Sequence, residues 1–288
     1  MRIIYSIILL FVVGAFGSGC DIINPAEKTP TYVRIDSFAF EDANPSKTGS
    51  ISNDISAVWV YLDSKPIGVF DVPSTFPVLL DRDSRLSIAP GVTYSGLKNY
   101  KALYPFYAFD TMTLKVDPGN VVTFNAKTKY VDGLNFIFKE DFEVGNKFDR
   151  LVPEEPLDTA MVRTADKDKV YEGGGSGYIY LDKAHTSSQM FNNTDIKIPI
   201  GESYLELDFK SSVQFEIGLY ATLKSGSAAF QYFQGVYPNS NWTKLYVPLE
   251  AYTNTFQGVS YRLLIKATLP DGQKDGYVLL DNLKIVTY

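Results

Sequence analysis

One cysteine, one histidine and two tryptophans are all that this 288-residue chain contains of those types. A single Cys closes no intrachain disulfide, so the folded parts stand on their cores alone. Cys20 is left as a buried small hydrophobe, a reactive thiol or a modification site. Zinc sites built from His and Cys are excluded by number. A nucleophilic triad needs a base within hydrogen-bond reach of a serine and a carboxylate to orient it. His185, in "LDKAHTSSQ", has only Ser187 and Ser188 as sequence neighbours, so a lone surface histidine is the better reading. Lysine and arginine are scattered and the formal net charge is -6, which leaves no electrostatic footprint for nucleic acid. "EGGGSG" (172–177) lacks the Lys-Ser/Thr of a phosphate-binding loop and reads as a flexible turn. Sustained helical periodicity is missing as well, over any window of about 12 residues.

What the chain has is aromatic residues, 14% of the total, with 20 Tyr and 19 Phe. These types suit a pleated, half-buried surface. Alternating apolar and polar runs recur between Gly, Pro, Asp and Asn clusters, at about eight to twelve residues apart. The expectation is an all-β protein of two β-sandwich domains in tandem, residues 31–130 and 131–288.

Ahead of them, Met1-Arg2 and the apolar run "IIYSIILLFVVGAF" end in Gly17, Ser18 and Gly19. That is the positive, apolar and small-residue layout of a secretory signal, and the run is short for a helix that must cross about 30 Å of hydrocarbon. "FGSGCD" resembles the end of a bacterial lipoprotein signal peptide of the Bacteroidota type. The resemblance implies a signal at 1–19, acylation of Cys20 as the first mature residue, and attachment to the outer membrane. Residues 20–30, with two prolines, read as a tether. The thin acidic signal after Cys20 points to the cell surface, with the periplasmic face as the alternative.

In the first unit, "YVRIDSFAF" alternates cleanly. "AVWVYLDSKPIGVFDVP" gives two extended runs joined at Asp63, Ser64 and Lys65. From Ala57 to Val92 the pattern resembles the small PEGA sandwiches of bacterial envelope proteins, within an Ig-like architecture; this implies binding to envelope proteins and no chemistry. "YPFYAF" (104–109) is either a strand entering the core or an anchor for a partner built on Tyr104, Phe106 and Tyr107.

In the second unit, Leu205, Leu207 and Phe209 oppose Glu206, Asp208 and Lys210. Phe215, Ile217 and Leu219 oppose Gln214, Glu216 and Tyr220, and Leu245, Val247 and Leu249 oppose Lys244, Tyr246 and Pro248. Each of these strands is expected to have one buried and one wet face. "EDFEVGNKF", "NWTKLYVPL" and "GYVLLDNLKIV" resemble segments of the jelly-roll of carbohydrate-binding modules. That resemblance implies a structural Ca²⁺ held by Glu143 and Asp281, with ordinary surface acids as the alternative. Trp59 and Trp242 both read as structural rather than as free sugar platforms. Glu216, Tyr220, Tyr246 and Arg262 alternate with core positions and could collect into a ligand face.

No catalytic set emerges: acids are abundant, but a glycosidase needs two facing each other across a cleft. The expected role is a non-catalytic outer-membrane lipoprotein, an accessory or assembly subunit of an envelope protein complex. The alternative is a cell-surface lipoprotein that binds glycan through the jelly-roll.

Overall fold

Strict alternation and short turns leave the chain little choice but strands. The structure, a computed structural model, describes residues 27–41, 44–97, 99–151, 155–156 and 158–288. Cys20 and the signal segment lie outside the described residues. No helix among the described residues is long and apolar enough to cross a membrane.

The first unit comprises β1 (Thr31–Ile35), β2 (Phe38–Phe40), a short helix α1 (Pro45–Thr48), β3 (Ile55–Leu62), β4 (Lys65–Asp71), β5 (Ser74–Val78), β6 (Ser84–Thr93), β7 (Lys101–Leu103), β8 (Asp110–Leu114), β9 (Val121–Thr123) and β10 (Ala126–Thr128). β3 and β4 form a hairpin around Asp63 and Ser64, whose φ values of 47° and 68° match the right-handed twist that two-residue hairpin loops require. One sheet runs β4-β3-β6-β7 with β8 also on β6. A second runs β5-β1-β9, and β10 pairs with β2. Val33, Ile35, Val58, Val60, Phe76, Leu86, Ile88 and Leu114 fill the space between them. Trp59 stays out of that core. Its ring lies flat on Gly91, where a Cβ would come within 2.0 Å of the indole, so glycine is required there.

The second unit holds β11 (Asn135–Glu140), β12 (Phe148–Arg150), β13 (Val162–Thr164), β14 (Ser176–Asp182), β15 (Ser187–Asn192), β16 (Ser203–Ser211), β17 (Phe215–Thr222), β18 (Ala228–Val236), β19 (Asn239–Pro248), the helix α2 (Glu250–Phe256), β20 (Ser260–Thr268) and β21 (Asp275–Thr287). Its two antiparallel sheets run β13-β14-β21-β16-β19, with β11 also on β21, and β12-β15-β20-β17-β18. Apart from the hairpins β13-β14 and β17-β18, consecutive strands pass from one sheet to the other in the manner of a jelly-roll. Leu205, Leu207, Ile217, Leu219, Leu263, Ile265 and Leu280 pack between them. The closing strand β21 ends up in the middle of its sheet, between β14 and β16.

A third cluster joins the units. Tyr104, Phe106, Tyr107 and Tyr130 from the first meet Tyr246 and Val286 from the second, and Tyr94 bridges to Tyr246 as a parallel backbone pair. Burying each ring contributes about 1.5–3 kcal/mol. The expected partner anchor is therefore used inside the chain. Tyr104, Phe106 and Tyr107 are 2%, 0% and 1% exposed.

Candidate functional site

The β12-β15-β20-β17-β18 sheet turns one face to the core and leaves the other uncovered. Register brings the outward side chains together. Tyr220 lies opposite Arg262 and Glu216 opposite Lys266 across β17 and β20. Tyr220 also faces Phe230 on β18, and Gln189 on β15 faces Lys266. Glu216, Tyr220 and Arg262, three of the four residues expected to collect together, lie on one face of this sheet.

The face is polar and aromatic by turns. Arg262 stacks over the Phe191 ring at 5.1 Å while its Nε donates to Asp195 at 2.8 Å. Lys266 sits 5.6 Å over the Tyr232 ring and 3.7 Å from Glu216. Phe230, at the sheet edge, is 58% exposed. A hollow of about 150 Å³ opens among Leu151, Phe191, Tyr220 and Arg262. The Tyr232 hydroxyl is shielded and has no partner among the described residues. Burial first, then the Glu216 charge, pushes its phenol up to about 12, so it is a donor at any ordinary pH. Phe191, Phe230, Tyr232 and Lys266 were not singled out from the sequence. "AAFQYFQGV" carried the signal, because Phe230 and Tyr232 fall two apart and so share a face.

Tyr246 belongs elsewhere. The opposite sheet presents its outward residues to the first unit, and the wet faces expected for β16 and β19 are covered: Glu206, Asp208, Lys244 and Tyr246 are 0%, 1%, 5% and 1% exposed. Charges trapped in this way must find partners. Glu206 accepts from the Tyr104 hydroxyl at 2.6 Å and from the Tyr130 hydroxyl at 2.8 Å. Lys244 lies 3.6 Å from both Glu206 and Asp208 and donates to Ser52 Oγ at 2.8 Å, which in turn donates to Asp208 at 2.6 Å. Lys284 reaches the Thr48 carbonyl at 3.0 Å and the Tyr130 hydroxyl at 3.1 Å. The Tyr107 and Tyr246 hydroxyls lie 3.0 Å apart. Burial, reinforced by the neighbouring Glu206, raises the phenols of Tyr104 and Tyr130 well above the ordinary range. Such a network ties two surfaces in one register; it offers no access to a ligand.

Glu143 and Asp281 are not assembled as a calcium site. The Gly174 amide donates to both Glu143 oxygens at 2.9 Å, so the carboxylate closes the glycine-rich turn. Asp281 accepts from Ser176 Oγ at 2.7 Å and from the Asn282 amide at 2.8 Å. Burial outweighs those bonds and pushes its carboxyl up to about 7, helped by nearby Asp208. Among the described residues no group of three or more His, Cys, Asp or Glu is arranged to hold a metal, and a cation of this type takes six to eight oxygens. His185 is a turn residue whose ring lies 3.2 Å from Asp182. Ser187 donates to Asp158 and Ser188 is buried, so no triad forms. Trp242 tilts against the Tyr171 ring at 5.2 Å and is not a free platform.

No protein-family model and no curated protein matches the chain. Solved structures that are similar to it include a carbohydrate-binding module in complex with β-1,4-galactotriose, at 10% identity and TM-score 0.34, covering 50% of this chain and 92% of the other. The family 30 carbohydrate-binding module of a cellulosomal cellulase of Clostridium thermocellum is 17% identical at TM-score 0.37, covering 53% and 96%. A carbohydrate-binding module of the β-sandwich superfamily is 11% identical at TM-score 0.32, covering 80% and 84%. Likeness of this degree assigns no ligand to the present chain.

Proposed function

We propose that this chain is a non-catalytic, lipid-anchored glycan-binding protein of the bacterial outer membrane, and that the uncovered face of the second sandwich holds the saccharide. One observation carries the reading: Phe191, Tyr220, Phe230 and Tyr232 share an open sheet face with Gln189, Glu216, Arg262 and Lys266. Aromatic faces stack on the apolar side of a pyranose ring, and the interleaved donors and acceptors meet its hydroxyls. Glu216 is already paired with Lys266 and Arg262 with Asp195, which fixes their orientation before a ligand arrives. Attachment rests on Cys20 behind its apolar leader, since acyl chains contribute about 0.8 kcal/mol per buried CH₂.

The accessory-subunit reading has one observation in its favour, an apolar hollow of about 480 Å³ on the first unit among Pro30, Leu62, Ile67, Pro77, Val78 and Leu79. It sits far in sequence from the aromatic anchor first expected, which is buried.

The experiment is retention of the full chain, in detergent, on a panel of immobilised polysaccharides. Tyr220→Ala combined with Phe230→Ala should lower affinity at least about tenfold, about 1.4 kcal/mol, with little change in unfolding midpoint. A folded protein that no polysaccharide retains, but that co-purifies stoichiometrically with an envelope protein, would transfer the proposal to the accessory reading. Cys20→Ala should abolish palmitate labelling and release the protein from membranes; unchanged membrane retention would remove the anchor.

A further inference from the structure

A second concave site lies between the units, away from the open face. Its walls are Asp54, Thr93, Ser95, Gly96 and Leu97 from the first unit, and the turn from Gly235 through Ser240 with Thr243 to Leu245 from the second. The volume is about 370 Å³, inside the range of small-ligand pockets, about 300–1,000 Å³.

The cleft is held open by backbone clips. The Ser95 amide donates to the Tyr246 carbonyl at 3.1 Å, and Gln234 Nε2 donates to the Ser95 carbonyl at 3.0 Å. Ser95 and Gly96 have φ of 49° and 71°, which bends the first-unit wall back over Leu245. In the wall, the Asp54 amide donates to the buried Tyr246 hydroxyl at 3.1 Å, which fixes that residue where it lines the cleft. No described residue donates a hydrogen bond to the Asp54 carboxylate. Burial raises Asp54's carboxyl above its ordinary value, against the pull of Lys101. At the rim Tyr237 is 76% exposed and has no ring partner among the described residues.

Three features narrow the ligand. A half-buried carboxylate without donors calls for donors in pairs, which adjacent hydroxyls of a sugar supply. Lys101, bonded to Thr93 Oγ1 at 3.0 Å, sets a positive charge near Asp54 and disfavours a cationic ligand, whereas the Lys244 ammonium in the wall is taken up by Glu206 and Asp208. An exposed tyrosine at the rim offers a stacking face, as Ser240 and Asn239 offer polar groups beside it.

We infer that this inter-unit cleft is a second saccharide site, taking a neutral pyranose with Asp54 accepting from two adjacent hydroxyls and Tyr237 lying against the ring. A pyranose can arrive free or as the end of a glycan chain, and the chemistry at the cleft is the same for both.

The test titrates the full chain in detergent with the methyl pyranosides of glucose, galactose and mannose, and with a linear trisaccharide ending in each, read by saturation-transfer NMR and by tyrosine fluorescence. Asp54→Asn and the surface change Tyr237→Ala, each made in the Tyr220→Ala, Phe230→Ala background so that the open face is silent, should each weaken binding at least about tenfold. Tighter binding of a trisaccharide than of its pyranoside identifies a chain end; equal binding identifies a free sugar. Absence of contact with every pyranoside and trisaccharide, or equal affinity in the Tyr220, Phe230 background with and without Asp54→Asn and Tyr237→Ala, overturns the inference. Polysaccharide retention lost only in the Tyr220, Phe230 variant, with no pyranoside binding that depends on Asp54, would leave the open-face reading standing and remove this one. Pyranoside binding dependent on Asp54 without polysaccharide retention would do the reverse.

Discussion

The two outer faces of the second sandwich are built from the same kind of strand and have opposite fates. On β16, β19 and β21, outward Glu206, Asp208, Lys244 and Lys284 are sealed beneath the first unit. On β17 and β20, outward Glu216, Arg262 and Lys266 remain at the surface and pair over aromatic rings. Outward charge is therefore not a signature of solvent. What separates the faces is the set of hydroxyls facing them: Tyr104, Tyr107 and Tyr130 supply phenols to the covered side, whereas the charges of the open side pair among themselves and with Asp195.

The comparison predicts unequal penalties for equal chemistry. Glu206→Ala should be the most damaging, since it strips the partner of Tyr104 and one counter-charge of both Lys244 and Lys284. Loss of about 3–5 kcal/mol is expected in urea unfolding, and a value below about 1 kcal/mol would show that the covered side behaves as an exposed one.

Asp281 comes next, and here the sign follows from a raised acid. With a folded value of about 7 against an ordinary carboxyl value of 3.8, the folded state holds the proton more tightly than the unfolded one. Its contribution is fully present below about pH 4 and is lost as pH rises towards 7. Asp281→Asn should flatten that slope and leave the variant more stable than wild type at pH 8 by about 2–4 kcal/mol. Denaturation curves at pH 5 and pH 8 measure it, and parallel slopes for both proteins would refute it. Tyr107→Phe deprives the Tyr246 hydroxyl of its hydroxyl partner and should cost about 1 kcal/mol, read from the same unfolding curves. Smallest is Glu216→Gln on the open face, where the exposed pair with Lys266 contributes about 0.2–1 kcal/mol. If it destabilises as much as Glu206→Ala, the contrast between the faces collapses.

Legibility in the sequence divides along the same line. Strand content, the Asp63-Ser64 hairpin and the inward rows of Leu205, Leu207, Ile217 and Leu219 could be read from period and turn chemistry, because those signals are local. So could the shared face of Glu216, Tyr220 and Arg262, since each alternates with core positions. That Tyr246 lies on the other sheet depends on which strands pair, a long-range fact with no local trace. The cover over Glu206 and Lys244 is likewise invisible, because alternation reports that a residue faces away from its own core and says nothing of what arrives on the far side. "YPFYAF" illustrates this: its aromatics anchor a partner surface as one reading held, but that surface is the other half of the same chain.

The first strand has a mechanical consequence. β1 lies between β5 and β9, with five register pairs to one and three to the other, and its bonds run across the strand direction. A pull on the chain ahead of Thr31 is therefore borne in shear by both ladders at once, instead of being peeled off bond by bond. Beyond them, the buried junction of Tyr104, Tyr107 and Tyr130 with Tyr246 carries part of that load into the second sandwich.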